Sequence, residues 1–176
     1  MKNNNKILGI DTEELIACVD ENDEVLGLRP RSEFVDGRLI HRSSYLLLFD
    51  SKRRILLQKR SPLKEWHPEK WTFPVAGTVA NETYKECLKK EMKEALGINI
   101  SFKKLFKYHH FDDTDKAFKT VFMAKAEEEE LVLNKDYAEE YSWIELDNLK
   151  KDIAGNPEKY APPFISGMKI FFNKKF

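Results

Sequence analysis

Apolar and polar residues follow two different periods along the chain, and these periods separate the predicted strands from the predicted helices. Short apolar runs come in pairs joined by polar turns, as in residues 14–31 and 44–60, and this pattern is typical of β-hairpins. The strands of the second pair are apolar nearly throughout, which predicts a sheet covered on both faces. Further strands are predicted within INISFKKLFKYHHF, KAFKTVFMAKAE and EYSWIEL.

Three segments have the helical period instead. The segment ETYKECLKKEMKEALGI (82–98) places Leu88, Met92, Ala95 and Leu96 on one apolar side, and Gly97 is the predicted helix end. A second helix is predicted in DNLKKDIA with Asp147 as its cap, and a third in the C-terminal tail after two prolines. This mixture predicts one α/β domain over residues 13–176, with helices on both sides of a mixed sheet, after a flexible segment 1–12.

Composition narrows the classes of function. Thirty basic residues balance thirty acidic ones, so no net field favours a nucleic acid polymer or an anionic membrane as partner. No signal peptide and no membrane-spanning apolar run is seen, and Cys18 and Cys87 fit reduced thiols, so we expect a cytoplasmic protein. A small molecule is the expected partner, and the sequence leaves both a monomer and a homodimer open.

The charged side of the 82–98 helix carries the candidate chemistry. Residues three or four positions apart share a helix face, so Glu91 and Glu94 lie side by side. Magnesium is usually held by one or two carboxylates together with waters and substrate phosphates, so this pair suffices for a hard cation. The alternative is a solvated amphipathic helix whose glutamates only pair with lysines.

The order of residues around this helix resembles the Nudix box, which is a glycine, five residues, a glutamate, seven residues, and then Arg-Glu-apolar-x-Glu-Glu-x-Gly-apolar. Here the spacing fits from Glu82 to Ile98, and the flanking segments resemble the Nudix branch that also contains type I isopentenyl-diphosphate isomerase. The resemblance implies an α/β/α sandwich in which Mg²⁺ or Mn²⁺ holds a diphosphate while water attacks phosphorus. It implies Glu91 and Glu94 as catalytic residues and metal ligands, with Glu82 and the Gly77 carbonyl as additional ligands.

The box departs from the family pattern at three positions. Lys90 replaces the arginine, Ala95 replaces the second glutamate of the pair, and the loop before Glu82 is one residue short, so strict spacing places Ala76 where the glycine belongs. The leading prediction is a hydrolase of a nucleoside diphosphate derivative or a related diphosphate, with activity lowered by these changes. The alternative is a binding module with a degraded metal site. If the site only lacks a ligand, we expect Ala95→Glu to raise activity.

The third hypothesis is an isomerase, and the residues at the positions that correspond to the isomerase site disfavour it. Ala76 stands where that enzyme has its catalytic cysteine, and Thr78 stands where it has a metal-binding histidine. The strand that would complete the isomerase site lacks a Glu-x-Glu, and His41 alone matches a ligand of that site. Because Ala76 has nothing to donate, the proton transfers of isomerisation are not expected.

Several other residues are candidates for substrate binding, although each also has an ordinary structural explanation. Lys59 and Arg60 end one strand and Arg29 or Arg31 ends another, and basic groups at these positions would suit a diphosphate. Aromatic side chains near the cleft could contact the rest of the substrate, but such residues more often belong to the core. The predicted substrate-binding residues are Lys59, Arg60, Lys90, Trp71, Phe73 and His41.

Overall fold

The computed structural model describes residues 13–64 and 66–174, so the predicted flexible segment 1–12 lies outside the described residues. Within the described residues the chain forms nine strands and three α-helices. The strands are β1 (Leu15–Val19), β2 (Val25–Pro30), β3 (His41–Phe49), β4 (Arg54–Lys59), β5 (Trp71–Thr72), β6 (Val75–Thr78), β7 (Lys103–Phe111), β8 (Lys116–Lys125) and β9 (Glu140–Glu145). The helices are α1 (Tyr84–Leu96), α2 (Leu146–Gly155) and α3 (Pro162–Asn173).

The main sheet is mixed, as the sequence predicts. Strand β3 pairs in parallel with β8, while β3–β6, β3–β4, β4–β5, β4–β9 and β7–β8 are antiparallel. Strands β1 and β2 form a separate two-stranded sheet, which joins the main body through Ala17 N–H bonding to the Val79 carbonyl at 3.0 Å. This small hairpin brings the residue after β2, Arg31, to the edge of the main sheet.

Helices cover both faces of the main sheet. Helix α1 buries Leu88, Met92, Ala95 and Leu96 against one face, together with residues such as Leu46 and Phe122. Helices α2 and α3 cover the opposite face through a cluster that includes Leu149 and Phe164. The nearly continuous apolar runs of β3 and β4 are explained by this arrangement, since both of their faces are buried. The predicted α/β/α sandwich is confirmed.

The ends of α1 and α2 differ in detail from the prediction. Helix α1 begins one residue after Thr83, whose hydroxyl accepts from the Glu86 N–H at 3.2 Å, while the Glu86 carboxylate accepts from the Thr83 N–H at 2.9 Å. This capping box removes Glu82 from the helix and assigns Glu86 a structural role. Gly97 ends the helix in the left-handed conformation, at φ 68°, as predicted. In α2 the N-cap is Glu145, so the prediction of Asp147 as the cap is wrong.

Both cysteines are buried free thiols, with Cys18 5% and Cys87 0% exposed, as expected for small hydrophobic residues. None of the helices in the described part of the chain is long and apolar enough to cross a membrane.

Candidate active site

A cleft that is partly open to solvent lies where the small hairpin, β3, β6 and the loop after β4 meet. Charged and aromatic side chains line it from several elements, so the site exists only in the folded chain. The residues that line the cleft include Arg31, His41, Tyr45, Arg60, Lys64, Trp66, His67, Ala76, Gly77, Asp115, Lys119, Ala161 and Pro163.

One wall of the cleft is cationic. Arg60 is half-buried at the end of β4 and donates from Nε to the Trp66 carbonyl at 2.8 Å. Burial lowers the pKa of Arg60, but a guanidinium remains charged in proteins. Burial and the neighbouring Arg60 and Arg31 also lower the pKa of Lys64. Within residues 13–64 and 66–174 Arg60 forms no salt bridge, so its charge lacks a close carboxylate partner.

The same wall carries an aromatic stack. The Arg31 guanidinium lies 4.5 Å from the centroid of the Trp66 ring, and the His41 imidazole stacks with that ring at 5.0 Å. The Trp66 indole N–H donates to the Thr114 carbonyl at 2.9 Å, which fixes the ring at the cleft wall. A cation against an aromatic face is favourable, so Trp66 also helps to orient Arg31.

A buried ionic network lies beneath this wall. Asp115 accepts from Lys119 Nζ at 2.9 Å and contacts His41 Nε2 at 3.0 Å, and His67 Nε2 lies 3.6 Å away. Although burial alone would raise the pKa of Asp115, the Lys119 charge and the histidine contacts hold that pKa far below its usual value. Burial lowers the pKa of His41, so the imidazole is neutral at pH 7. This network sets the position of His41 at the floor of the cleft.

Strand β6, which contributes Ala76 and Gly77 to the cleft lining, packs closely against the acidic helix α1. Gly77 permits this close approach, because a Cβ at that position would lie 2.8 Å from Cys87 Sγ and closer still to Glu91 Cγ. The Glu91 side chain is 16% exposed, and its Oε2 accepts from the Tyr137 hydroxyl at 3.0 Å. Burial raises the pKa of Glu91, and the nearby Glu94 charge raises it further. Glu94 itself is exposed.

Lys90 lies between two of the predicted metal ligands. Its Nζ is 3.0 Å from Glu82 Oε1 and 3.8 Å from Glu91 Oε1, so one ammonium group bridges the two carboxylates. Among the described residues, no three His, Cys, Asp or Glu side chains are grouped so that they could hold a metal ion together. Glu91 and Glu94 still offer two adjacent carboxylates, which fits a cation that takes one or two carboxylates plus waters and substrate phosphates.

Ala95 lies in the core and not in the cleft. Its side chain is 0% exposed and belongs to the apolar cluster beneath α1. The Ala95 carbonyl accepts from the Asn134 N–H at 3.0 Å and from the Tyr141 hydroxyl at 3.3 Å, so the loop before β9 covers this turn of the helix. A carboxylate at position 95 could not reach the cleft without displacing this packing, contrary to the expectation of a simply missing ligand.

Four of the predicted substrate-binding residues do not line the cleft: Lys59, Trp71, Phe73 and Lys90, which pairs with Glu82 instead. Phe73 is fully buried in the core and stacks on Tyr45 at 4.7 Å, and Trp71 packs at the edge of the same core. Lys59 pairs with Glu139 at 3.7 Å, because neighbouring strand residues point to opposite sides and Arg60 takes the cleft side. His41 and Arg60 line the cleft, as predicted. Of the two arginines at the end of β2, Arg31 lines the cleft, whereas Arg29 is exposed outside it.

The comparison with protein families agrees with this geometry. The family model described as NUDIX domain matches residues 39–163, which include the cleft residues of β3, the loop after β4 and β6, and the whole of α1. The chain belongs to the Nudix family. The prediction of a Nudix-type diphosphate hydrolase is thereby confirmed at the level of the family and its reaction.

Curated relatives and solved structures extend the match over most of the chain. A prenyl-diphosphate phosphatase of Methanosarcina mazei is 42% identical over 161 residues, which covers 89% of this chain and 95% of the relative. An isopentenyl-diphosphate Delta-isomerase of Aromatoleum aromaticum is 25% identical, covering 85% and 82%. A crystal structure of a Deinococcus radiodurans protein has a TM-score of 0.77 at 24% identity, covering 89% and 98%, and shows the same fold.

Proposed function

We propose that this Nudix-family protein hydrolyses the diphosphate group of a short prenyl diphosphate, with Mg²⁺ or Mn²⁺ as its cofactor. The observation that carries the proposal is the half-buried Arg60 guanidinium at the cleft wall, which lacks a salt-bridge partner among the described residues. A charge in such a position needs an anion, and a diphosphate matches the planar guanidinium and the adjacent Lys64. The 42% identity to a prenyl-diphosphate phosphatase supports the same substrate class.

Two groups of side chains have different roles in this proposal. Arg31, Arg60 and Lys64 bind the diphosphate oxygens on the cationic wall of the cleft. Glu91 and Glu94 would hold the divalent ion, which when bound supplies positive charge against the diphosphate oxygens. Hydrolysis consumes one water, breaks the P–O–P bridge and yields a prenyl monophosphate and inorganic phosphate.

The rest of the cleft favours an apolar group over a nucleoside. Tyr45, Trp66, Ala76, Ala161 and Pro163 present rings and small apolar surfaces, which a short hydrocarbon chain can cover. The two alanines leave room, while the Trp66 ring closes one wall. Buried free cysteines are consistent with the cytoplasmic location that we propose for this activity.

Arg60→Gln tests the anion site, with Arg29→Gln as the matched control because Arg29 is exposed outside the cleft. We expect Arg60→Gln to lower kcat/KM for dimethylallyl diphosphate at least tenfold, since hydrogen bonds to charged groups contribute about 1.5–3 kcal/mol. Arg29→Gln should change it less than twofold. Equal activity of the two variants would remove Arg60 from the site, and turnover of nucleoside diphosphates alone would refute the prenyl assignment.

A further inference from the structure

Tyr137 lies at the junction of α1 and β6, where its hydroxyl contacts three groups of the candidate active site. Tyr137 Oη is 3.0 Å from Glu91 Oε2, 3.0 Å from the Ala76 carbonyl oxygen and 3.3 Å from the Ala76 N–H. The Ala76 N–H and carbonyl therefore face the free edge of β6, where a phenol substitutes for a neighbouring strand.

A phenol has one proton, so it cannot donate to both oxygens at once. The Tyr137 hydroxyl accepts from the Ala76 N–H, and its proton can go either to the Ala76 carbonyl or to Glu91 Oε2. The bond to Glu91 is the stronger one, because a carboxylate is a charged acceptor. Glu91 Oε2 is then fixed against Tyr137. Glu91 Oε1 is left pointing to the side where Lys90 Nζ lies 3.8 Å away, and the Ala76 carbonyl keeps lone pairs available.

The loop that carries Tyr137 is itself attached to α1. Asn134 donates from Nδ2 to the Glu94 carbonyl at 3.1 Å and from its N–H to the Ala95 carbonyl at 3.0 Å, while the Val132 N–H donates to the Leu96 carbonyl at 2.9 Å. Three successive carbonyls at the C-terminal end of α1 are thus satisfied by this loop. Because the loop and helix are held together, Tyr137 keeps its position relative to Glu91.

We infer that Tyr137 is a positioning residue that fixes the Glu91 carboxylate in the orientation needed for a divalent cation. The inference rests on the proposed function, in which Glu91 is a metal ligand. Partners that orient a ligand in this way typically change metal affinity by about 10–100-fold when they are removed. Tyr137 lies outside the Nudix box, and its contribution depends on the loop before β9.

Tyr137→Phe removes the hydroxyl and keeps the ring, and Tyr141→Phe is the matched control. Tyr141 lies near the same turn of α1, and its hydroxyl donates to the Ala95 carbonyl at 3.3 Å instead of to Glu91. Binding of Mn²⁺ alone is measured from the loss of the free-ion signal in electron paramagnetic resonance. We expect Tyr137→Phe to weaken Mn²⁺ binding about tenfold or more and Tyr141→Phe to change it less than twofold.

A second readout separates positioning from general stability. In steady-state assays Tyr137→Phe should raise the Mg²⁺ concentration that gives half-maximal rate, while KM for the diphosphate at saturating Mg²⁺ stays within twofold. In a Glu91→Gln background the Tyr137→Phe effect on Mn²⁺ binding should vanish. If Tyr137→Phe binds Mn²⁺ as the wild type does, the positioning role is wrong while the proposed function stands. If the wild type binds no Mn²⁺, both the metal assignment and this inference fail.

Discussion

Ala95→Glu adds a carboxylate at the box position where the family pattern has one, and the structure predicts that this substitution destabilises the protein. The Ala95 side chain is 0% exposed and packs with Leu88, Met92 and Leu96. Overfilling a packed core costs about 1–3 kcal/mol, and an unpaired buried polar group adds roughly 2 kcal/mol or more. The total loss in the free energy of unfolding is therefore about 4 kcal/mol.

For a chain of this size, each kcal/mol shifts Tm by roughly 2–4 °C, so Ala95→Glu should lower Tm by roughly 8–16 °C. Lys89→Glu, at an exposed position of the same helix, is the control and should change stability by no more than about 0.5 kcal/mol. Thermal unfolding followed by circular dichroism gives both values, and phosphate release gives activity. An Ala95→Glu protein with unchanged Tm and higher activity would mean that residue 95 faces the metal site and not the core.

The junction of α1 with β6 and the buried network around Asp115 can also be tested by substitution. Gly77→Ala should lower kcat/KM at least tenfold because the added Cβ displaces the adjacent glutamate, whereas Gly155→Ala, with nothing within 4 Å, should leave activity unchanged. Lys119→Met should lower Tm by roughly 6–20 °C, because the buried Asp115 carboxylate loses the ammonium group that pairs with it. Adding Asp115→Asn to that variant removes the unpaired charge and should restore much of the lost Tm. The pKa of His41 is lower in the native protein than in the unfolded chain, so the Tm of the wild type should fall as the pH is lowered from 7 to 5. Thermal melts of His41→Gln should show a smaller dependence of Tm on pH.

Much of the fold is predictable because local patterns and packing agree. The hairpins, the two-sided burial of β3 and β4, and the end of α1 at Gly97 all follow from residue periods and turn chemistry. The start of α1 was harder to place, since Glu82 and Glu86 fit the helical period. In the folded chain the Thr83–Glu86 capping box sets that boundary and leaves Glu82 outside the helix.

The site is only partly predictable, because its members come together through long-range contacts. The box spacing indicates Glu91 and Glu94, and the strand end indicates Arg60. Residues such as Asp115, Lys119 and Tyr137 show no motif and become recognisable only through strand pairing and loop placement. The parallel register places Ala117 beside His41, and this brings the start of β8 to the cleft.

The apolar period of α1 contained a usable signal for Ala95. That period groups Ala95 with Leu88, Met92 and Leu96, and the structure confirms this grouping. The expectation of a missing metal ligand came from the family pattern alone. At position 95 the family pattern and the apolar period of α1 give different expectations, and the buried side chain agrees with the apolar period.

Phosphorus NMR of dimethylallyl diphosphate with Mg²⁺, recorded with the wild type and with the Glu91→Gln/Glu94→Gln double variant, shows directly whether this chain is a metal-dependent prenyl-diphosphate hydrolase. Gln keeps size and helix propensity but removes the charge that a hard cation requires. We expect the wild type to convert the diphosphate to monophosphate and inorganic phosphate, and the folded double variant to leave it intact. No conversion by the wild type at stoichiometric enzyme would rule out this function, and equal conversion by the double variant would rule out this metal site.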